Sequence, residues 1–159
     1  MDDALEAVRT AIAMEEKAAR FYRQAAQQTG DSQAAETLNS FADDEVKHGQ
    51  LLKSLAEGYY LRQGRFEIPE ITPTEYHQDR PGPIFCRGLE ELARNPEPVP
   101  AAVDRFAQAE GEAIELYRRL AAQSQDPALA GFYAKLADWE QRHLDLLRKQ
   151  AETFKLSQP

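Results

Sequence analysis

This sequence predicts an all-α fold, an antiparallel four-helix bundle of two helical hairpins joined by a long crossover. Three observations carry that reading. Two stretches dense in helix formers flank a middle rich in Pro and Gly. Apolar residues recur in alternating steps of three and four along four segments, the pattern of a buried seam. The second half of the chain repeats the chemistry of the first at an offset of 95 residues. At 159 residues the chain suits one domain with a sizeable core, and residues 1–159 are read as a single domain.

The elements follow in order. Residues 2–28 are dense in Ala, Glu, Arg and Gln with no Gly or Pro, which favours helix. Gly30 is placed to cap that helix at its C-terminus. Asp31 or Ser32 can cap a second helix, with Glu36 near its first turn. The second helix is expected over 32–57, ending before Gly58. Pro98 and Pro100 precede a third over 101–123. Asp126 caps a fourth, over 127–154, with Pro127 at its first position. The crossover, 58–99, holds four Gly and six Pro. A structureless loop of that length is unusual in a compact domain, and a short helix at 85–94 relieves it. A helix of about 26 residues is about 39 Å long, so a linker of this length can return along the whole bundle if helices 2 and 3 run parallel.

Composition narrows the function. Hydrophobic residues are 42% and charged residues 29%, the balance of a soluble globular protein. No apolar run approaches the roughly 20 residues of a membrane span. The net charge of −8 argues against a nucleic-acid partner. Cys86 is the sole cysteine, which excludes an internal disulfide and a Cys-x-x-Cys metal knuckle. The N-terminus has no basic region followed by an apolar stretch, and the expected location is the cytoplasm.

The seams carry the chemistry. On the first helix the seam reads Leu5, Val8, Ile12, Glu15, Ala19, Tyr22; on the second, Leu38, Phe41, Glu45, His48, Leu52, Leu55, Tyr59. On the third it reads Val103, Phe106, Glu110, Ala113, Tyr117, Leu120; on the fourth, Leu129, Tyr133, Leu136, Glu140, His143, Leu147. Each is apolar at its ends and ionisable in the middle. Burying one unpaired carboxylate costs several kcal/mol, and four facing one another cost more. Protonation offsets part of this, since desolvation and like charge both raise a carboxyl pKa. Two divalent cations offset it more fully, matching four carboxylates charge for charge, while two neutral imidazoles add nitrogen ligands.

The heights agree. Glu15 and Glu45 are equidistant from Gly30, and Glu110 and Glu140 are equidistant from Gln125, so each hairpin sets one Glu opposite one Glu-x-x-His. The i, i+3 spacing puts Glu and His on one helical face. The offset of 95 takes Glu15 to Glu110, Ala18 to Ala113, Tyr22 to Tyr117, Glu45 to Glu140 and His48 to His143. Two hairpins related by a pseudo-twofold axis, with two metals between them, are expected.

One Glu from each of two helices and Glu-x-x-His from each of the other two is the donor set of ferritin-like di-iron and di-manganese proteins. Glu15-x-x-Ala18-x-x-x-Tyr22 and Phe41-Ala-Asp-Asp-Glu45-Val-Lys-His48 resemble the rubrerythrin branch of that class, and the resemblance extends over all four helices. It implies a ferritin-like bundle with two iron ions per chain. Glu45 and Glu140 would bridge them, Glu15 and Glu110 would be terminal carboxylates, and His48 and His143 would each supply one nitrogen. By hardness the donors also suit Mn, and Zn would occupy them in a prepared sample.

The implied activity is that of a rubrerythrin-type oxidoreductase oxidising Fe(II) with peroxide or O2, as a peroxide reductase or a ferroxidase. An iron-binding or storage protein with little turnover is one alternative. An O2-dependent di-iron oxygenase is another, and it predicts an apolar pocket beside the metals. Two departures from rubrerythrin stand out. The 159 residues hold one cysteine against the four of a rubredoxin domain, so the electron donor is expected to be external. Ala113 occupies the place of a further carboxylate one turn after Glu110, which brings the set closer to a bacterioferritin-type ferroxidase centre. A homo-oligomer is expected, with a dimer as default.

Other residues admit two readings. Tyr22 and Tyr117, two turns from their glutamates, serve either as hydrogen-bond donors around the ligands or as core aromatics. Asp44 either orients the imidazole of His143, by the same resemblance, or is a solvated surface residue; its counterpart in the other half is Trp139. His77 is read as a surface residue and Cys86 as a small packed one.

Overall fold

A computed structural model describes residues 3–29, 32–69 and 99–156. Gly30, Asp31, His77, Cys86 and the short helix expected at 85–94 lie outside them. The described residues form four helices, α1 (Asp3–Gln28), α2 (Ser32–Leu61), α3 (Val99–Gln123) and α4 (Pro127–Leu156), arranged as an all-α bundle of two hairpins. α1 packs along α2 and α3 along α4, and α1 also touches α3.

α4 runs two residues past its expected end, to Leu156, and two other boundaries differ for local reasons. α2 runs through Gly58 and ends at Leu61. One glycine costs a helix only about 1 kcal/mol, and here its missing side chain makes room. A Cβ on Gly58 would lie 3.1 Å from Cβ of Glu67, because the chain folds back across the helix end. Gln63 and Gly64 make the reversal with φ of 54° and 90°, and Gly64 N–H donates to the Tyr59 carbonyl at 3.0 Å. Phe66 then packs on Tyr59 with ring centroids 4.6 Å apart. α3 starts at Val99 and takes Pro100 into its first turn, where the missing N–H has no intrahelical acceptor to lose. Asp126 caps α4 as expected, its Oδ1 accepting from the Ala128 N–H at 2.9 Å.

Contacts across the bundle fix the helix directions. Tyr22 reaches Glu110 while Tyr117 reaches Glu15, so α1 and α3 are antiparallel. His48 lies 2.8 Å from Glu140 and His143 3.0 Å from Glu45, so α2 and α4 are antiparallel as well. Since partners within each hairpin are also antiparallel, α2 and α3 run the same way, and the connection between them leads from one end of the bundle to the other.

The core is split into two apolar clusters. One gathers Val8, Leu52, Leu55, Tyr117, Phe132 and Leu136; the other gathers Tyr22, Leu38, Phe41, Phe106 and Leu147. The ionisable residues lie between them. Of the expected seams, α4 is buried throughout, whereas Ile12, Tyr59, Ala113 and Leu120 are only half-buried. Ala11 takes the buried place beside Ile12 on α1, and Ile114 and Leu116 are buried on α3. A straight helix drifts from a strict heptad over several turns, which moves such neighbours in and out of the seam.

Candidate metal centre

All six ionisable seam residues meet in one layer at the middle of the bundle. Glu15, Glu45, His48, Glu110, Glu140 and His143 are each no more than 3% exposed. Their donor atoms fall into two groups: Glu15, Glu45, His48 and Glu140, and Glu45, Glu110, Glu140 and His143. Within each group the donor atoms lie within 4.8 Å of one another. Glu45 and Glu140 belong to both.

The two groups obey the repeat seen in the sequence. Nδ1 of His48 lies 2.8 Å from Glu140, 3.4 Å from Glu45 and 3.7 Å from Glu15. Nδ1 of His143 lies 3.0 Å from Glu45, 3.5 Å from Glu140 and 3.7 Å from Glu110. Matching distances agree to within about 0.2 Å. Each imidazole thus sits closest to the glutamate of the other hairpin, and the layer ties the two halves together.

Four atoms in this layer, Glu45 Oε1, His48 Nδ1, Glu140 Oε1 and His143 Nδ1, are buried without a hydrogen-bond partner. Native interiors leave very few such atoms unsatisfied. Here they face one another across a shared space, two carboxylate oxygens and two imidazole nitrogens. Such a donor set suits borderline and hard divalent metals, so the residues present fit a pair of cations.

Outside the donors stands a supporting ring. The Tyr22 hydroxyl donates to Glu110 Oε1 and the Tyr117 hydroxyl to Glu15 Oε1. Each tyrosine therefore crosses to the glutamate of the other hairpin and not to the one two turns away on its own helix. Antiparallel α1 and α3 bring these pairs to equal height. The bond occupies Oε1 and leaves Oε2 facing the imidazoles, at 3.7 Å in each half. Burial, aided by the glutamates, pushes both phenols well above their ordinary pKa, so they remain donors.

Asp44 is only partly exposed, and its Oδ2 lies 3.4 Å from Nε2 of His143, while its Oδ1 lies 3.2 Å from Nζ of Lys47. Its counterpart Trp139 stacks on His48 with centroids 5.0 Å apart and planes 9° apart. Phe41 stacks on His143 at 4.7 Å. These two aromatic walls were missed in the sequence; their only signal is a position one turn or one residue from a ligand.

The electrostatics show what holds the layer when protons are its only cations. Burial raises Glu15 well above its ordinary value, with repulsion from Glu140 adding to the effect. Burial likewise raises Glu110 to about 8, against the lowering influence of His143. For Glu45 and Glu140 burial again acts upward, but the two imidazoles outweigh it and hold both below the usual value. Burial opposes charge on His48 and His143, yet the surrounding carboxylates raise both well above 6.5. The raised acids and raised imidazoles favour protons in the layer, which offset the charge of Glu45 and Glu140. Two divalent cations would replace those protons.

Two outcomes are expected. Glu15, Glu110, His48 and His143 have raised folded pKa values, so their contribution is complete below the unfolded values and fades as pH rises through the folded ones. The lowered Glu45 and Glu140 act oppositely and lose their contribution in acid. Metal-free protein should therefore become less stable between pH 4.5 and about 8, and a divalent metal should restore stability at the alkaline end; melting temperatures with chelator or Zn(II) across that range check this, and a flat metal-free profile contradicts it. Asp44→Asn should weaken one of two metal-binding steps roughly 10–100-fold and spare the other in a calorimetric Co(II) titration. Equal shifts in both steps, or none, would remove Asp44 from the account.

The rubrerythrin family model matches residues 1–56, which cover α1 and most of α2 and include Glu15, Tyr22, Glu45 and His48. No curated protein and no solved structure matches the chain. The second hairpin carries the same donors at the same offset. The chain is thus a four-helix bundle whose first hairpin is similar to rubrerythrin.

Proposed function

We propose that the chain is a non-haem di-iron oxidoreductase of rubrerythrin type, turning over Fe(II) with peroxide or O2. The observation that carries this reading is the pair of reciprocal donor groups sharing Glu45 and Glu140. A structural ion pair needs no such duplication. Held by these six residues, a pair of ferrous ions would supply two electrons together to peroxide or O2.

The protein's own part is positional. Glu45 and Glu140 are the carboxylates common to both positions. Glu15 and His48 complete one, and Glu110 and His143 the other. Tyr22 and Tyr117 hold the outer oxygens of Glu110 and Glu15, so the inner oxygens are presented in a fixed orientation. The apolar clusters above and below close the layer along the bundle axis. The donor count, with Ala113 on the α3 face, also suits a ferroxidase, and peroxide reduction is the first choice for the physiological reaction. An external electron donor, a cytoplasmic setting and a homodimer belong to this proposal.

The expected outcome is fast oxidation of anaerobically loaded Fe(II), quicker with peroxide than with O2 in stopped-flow absorbance. Quicker oxidation by O2 with continued iron uptake would shift the assignment to a ferroxidase. The double variant Glu45→Ala Glu140→Ala should bind neither metal; two metals per chain in that variant would contradict the shared role of these carboxylates.

A further inference from the structure

Each helix carries a donor glutamate and, one turn later, a side chain on the same helical face. On α2 and α4 that side chain is an imidazole, His48 after Glu45 and His143 after Glu140. On α1 and α3 it is only a methyl group, Ala18 after Glu15 and Ala113 after Glu110. The layer is therefore filled from one pair of helices and left open from the other. Trp139 and Phe41 pack against the two imidazoles. Between α1 and α3 lies a groove of about 470 Å³. Glu15, Glu45, Glu110 and Glu140 form its floor, and Ala18 and Ala113 stand in its wall. Two floor residues, Glu45 and Glu140, are those whose Oε1 is buried without a hydrogen-bond partner.

The size and lining of the groove bear on what it takes. A water molecule has a share of about 30 Å³, and hydrogen peroxide needs only slightly more. The groove exceeds that by about an order of magnitude and falls in the range of sites for organic ligands. Its half-buried wall is apolar, with Met14, Phe21 and Ala109 beside the two alanines. Its exposed rim carries both signs, Lys17, Arg20 and Arg105 together with Glu112, and Glu16 stands beside Arg20. A mixed rim selects no net charge, so the wall characterises the ligand as neutral and largely apolar. The floor adds one requirement: the reactive end of that ligand must lie at the donor layer.

The geometry points to an organic hydroperoxide, ROOH, as the peroxide reduced at this site. Its R group occupies the groove over Ala18 and Ala113, and its hydroperoxyl end reaches the donor layer. This names the substrate class of the proposed function and rests on that reading. The O–O bond breaks and takes one electron from each of two ferrous ions. Two protons come from solvent, so ROOH, two Fe(II) and two protons give ROH, water and two Fe(III). Hydrogen peroxide alone would leave most of the groove to water. A larger side chain at either repeated position would fill the space, so Ala18 and Ala113 set the size of peroxide admitted.

The test uses the full chain with cumene hydroperoxide and its reduction product, cumyl alcohol, as probes. Metal content is measured on every sample. With Zn(II) bound, which excludes redox turnover, calorimetry should show saturable binding of cumyl alcohol. With Fe(II) loaded anaerobically, cumene hydroperoxide should oxidise the metal at least as fast as hydrogen peroxide in stopped-flow absorbance. One cumyl alcohol should form for every two Fe(II) oxidised. Ala113→Phe should retain two zinc ions, lose cumyl alcohol binding and lower the rate ratio of cumene hydroperoxide to hydrogen peroxide about tenfold or more. Ala18→Leu, a smaller change on the facing helix, should lower the same ratio even where the larger residue prevents folding. A chain with two zinc ions that does not bind cumyl alcohol, that is oxidised faster by hydrogen peroxide, or that keeps its rate ratio in the folded variants overturns the hydroperoxide assignment and leaves the metal reading standing. A chain that binds no zinc overturns the metal reading itself.

Discussion

Four carboxylates facing one another in a dry interior are the constraint on which the rest of this structure depends. Left alone they repel, and each loses its hydration. Imidazoles, protons and tyrosine hydroxyls all converge on them from neighbouring helices. The closest imidazole contacts and both tyrosine bonds cross between hairpins, so the layer also sets the register of the bundle. The two apolar clusters bury the ends of the helices and hold the layer at their junction. The seam is thus specific where it is polar and adhesive where it is apolar.

Symmetry in this arrangement is close but broken. The imidazole-to-carboxylate distances repeat across the two halves. The surroundings of the imidazoles do not: a carboxylate stands at Nε2 of His143, and an indole covers the face of His48. The first is a polar neighbour at a ring nitrogen; the second packs against the ring face. The α1–α3 seam is a further break, because the equivalent positions Met14 and Ala109 differ in bulk and Lys17 and Glu112 differ in charge. A duplicated scaffold with unequal surroundings can give two metal positions distinct properties from one ligand set.

Much of this was legible in the sequence because the governing rule is periodic. Glutamate and histidine at seam positions, equidistant from two turns, specify both the fold and the meeting of all six side chains. The crossed tyrosine bonds were not legible, since they depend on the height of one hairpin against the other and not on spacing within a helix. The extension of α2 past Gly58 escaped for a related reason: the glycine marks a close approach by Glu67, and the same residue type also ends helices. Stacking of Trp139 on His48 needs side-chain directions that a seam pattern does not carry.

The central claim is that these six buried side chains hold two cations in place of protons. Anaerobic titration with Fe(II) at pH 7, counting both metal bound and protons released per chain, tests it most directly. The account predicts two metal ions and a net release of protons, since Glu15, Glu110, His48 and His143 all have raised pKa values in the metal-free layer. Fewer than two ions, or two ions bound with no release of protons, would contradict it.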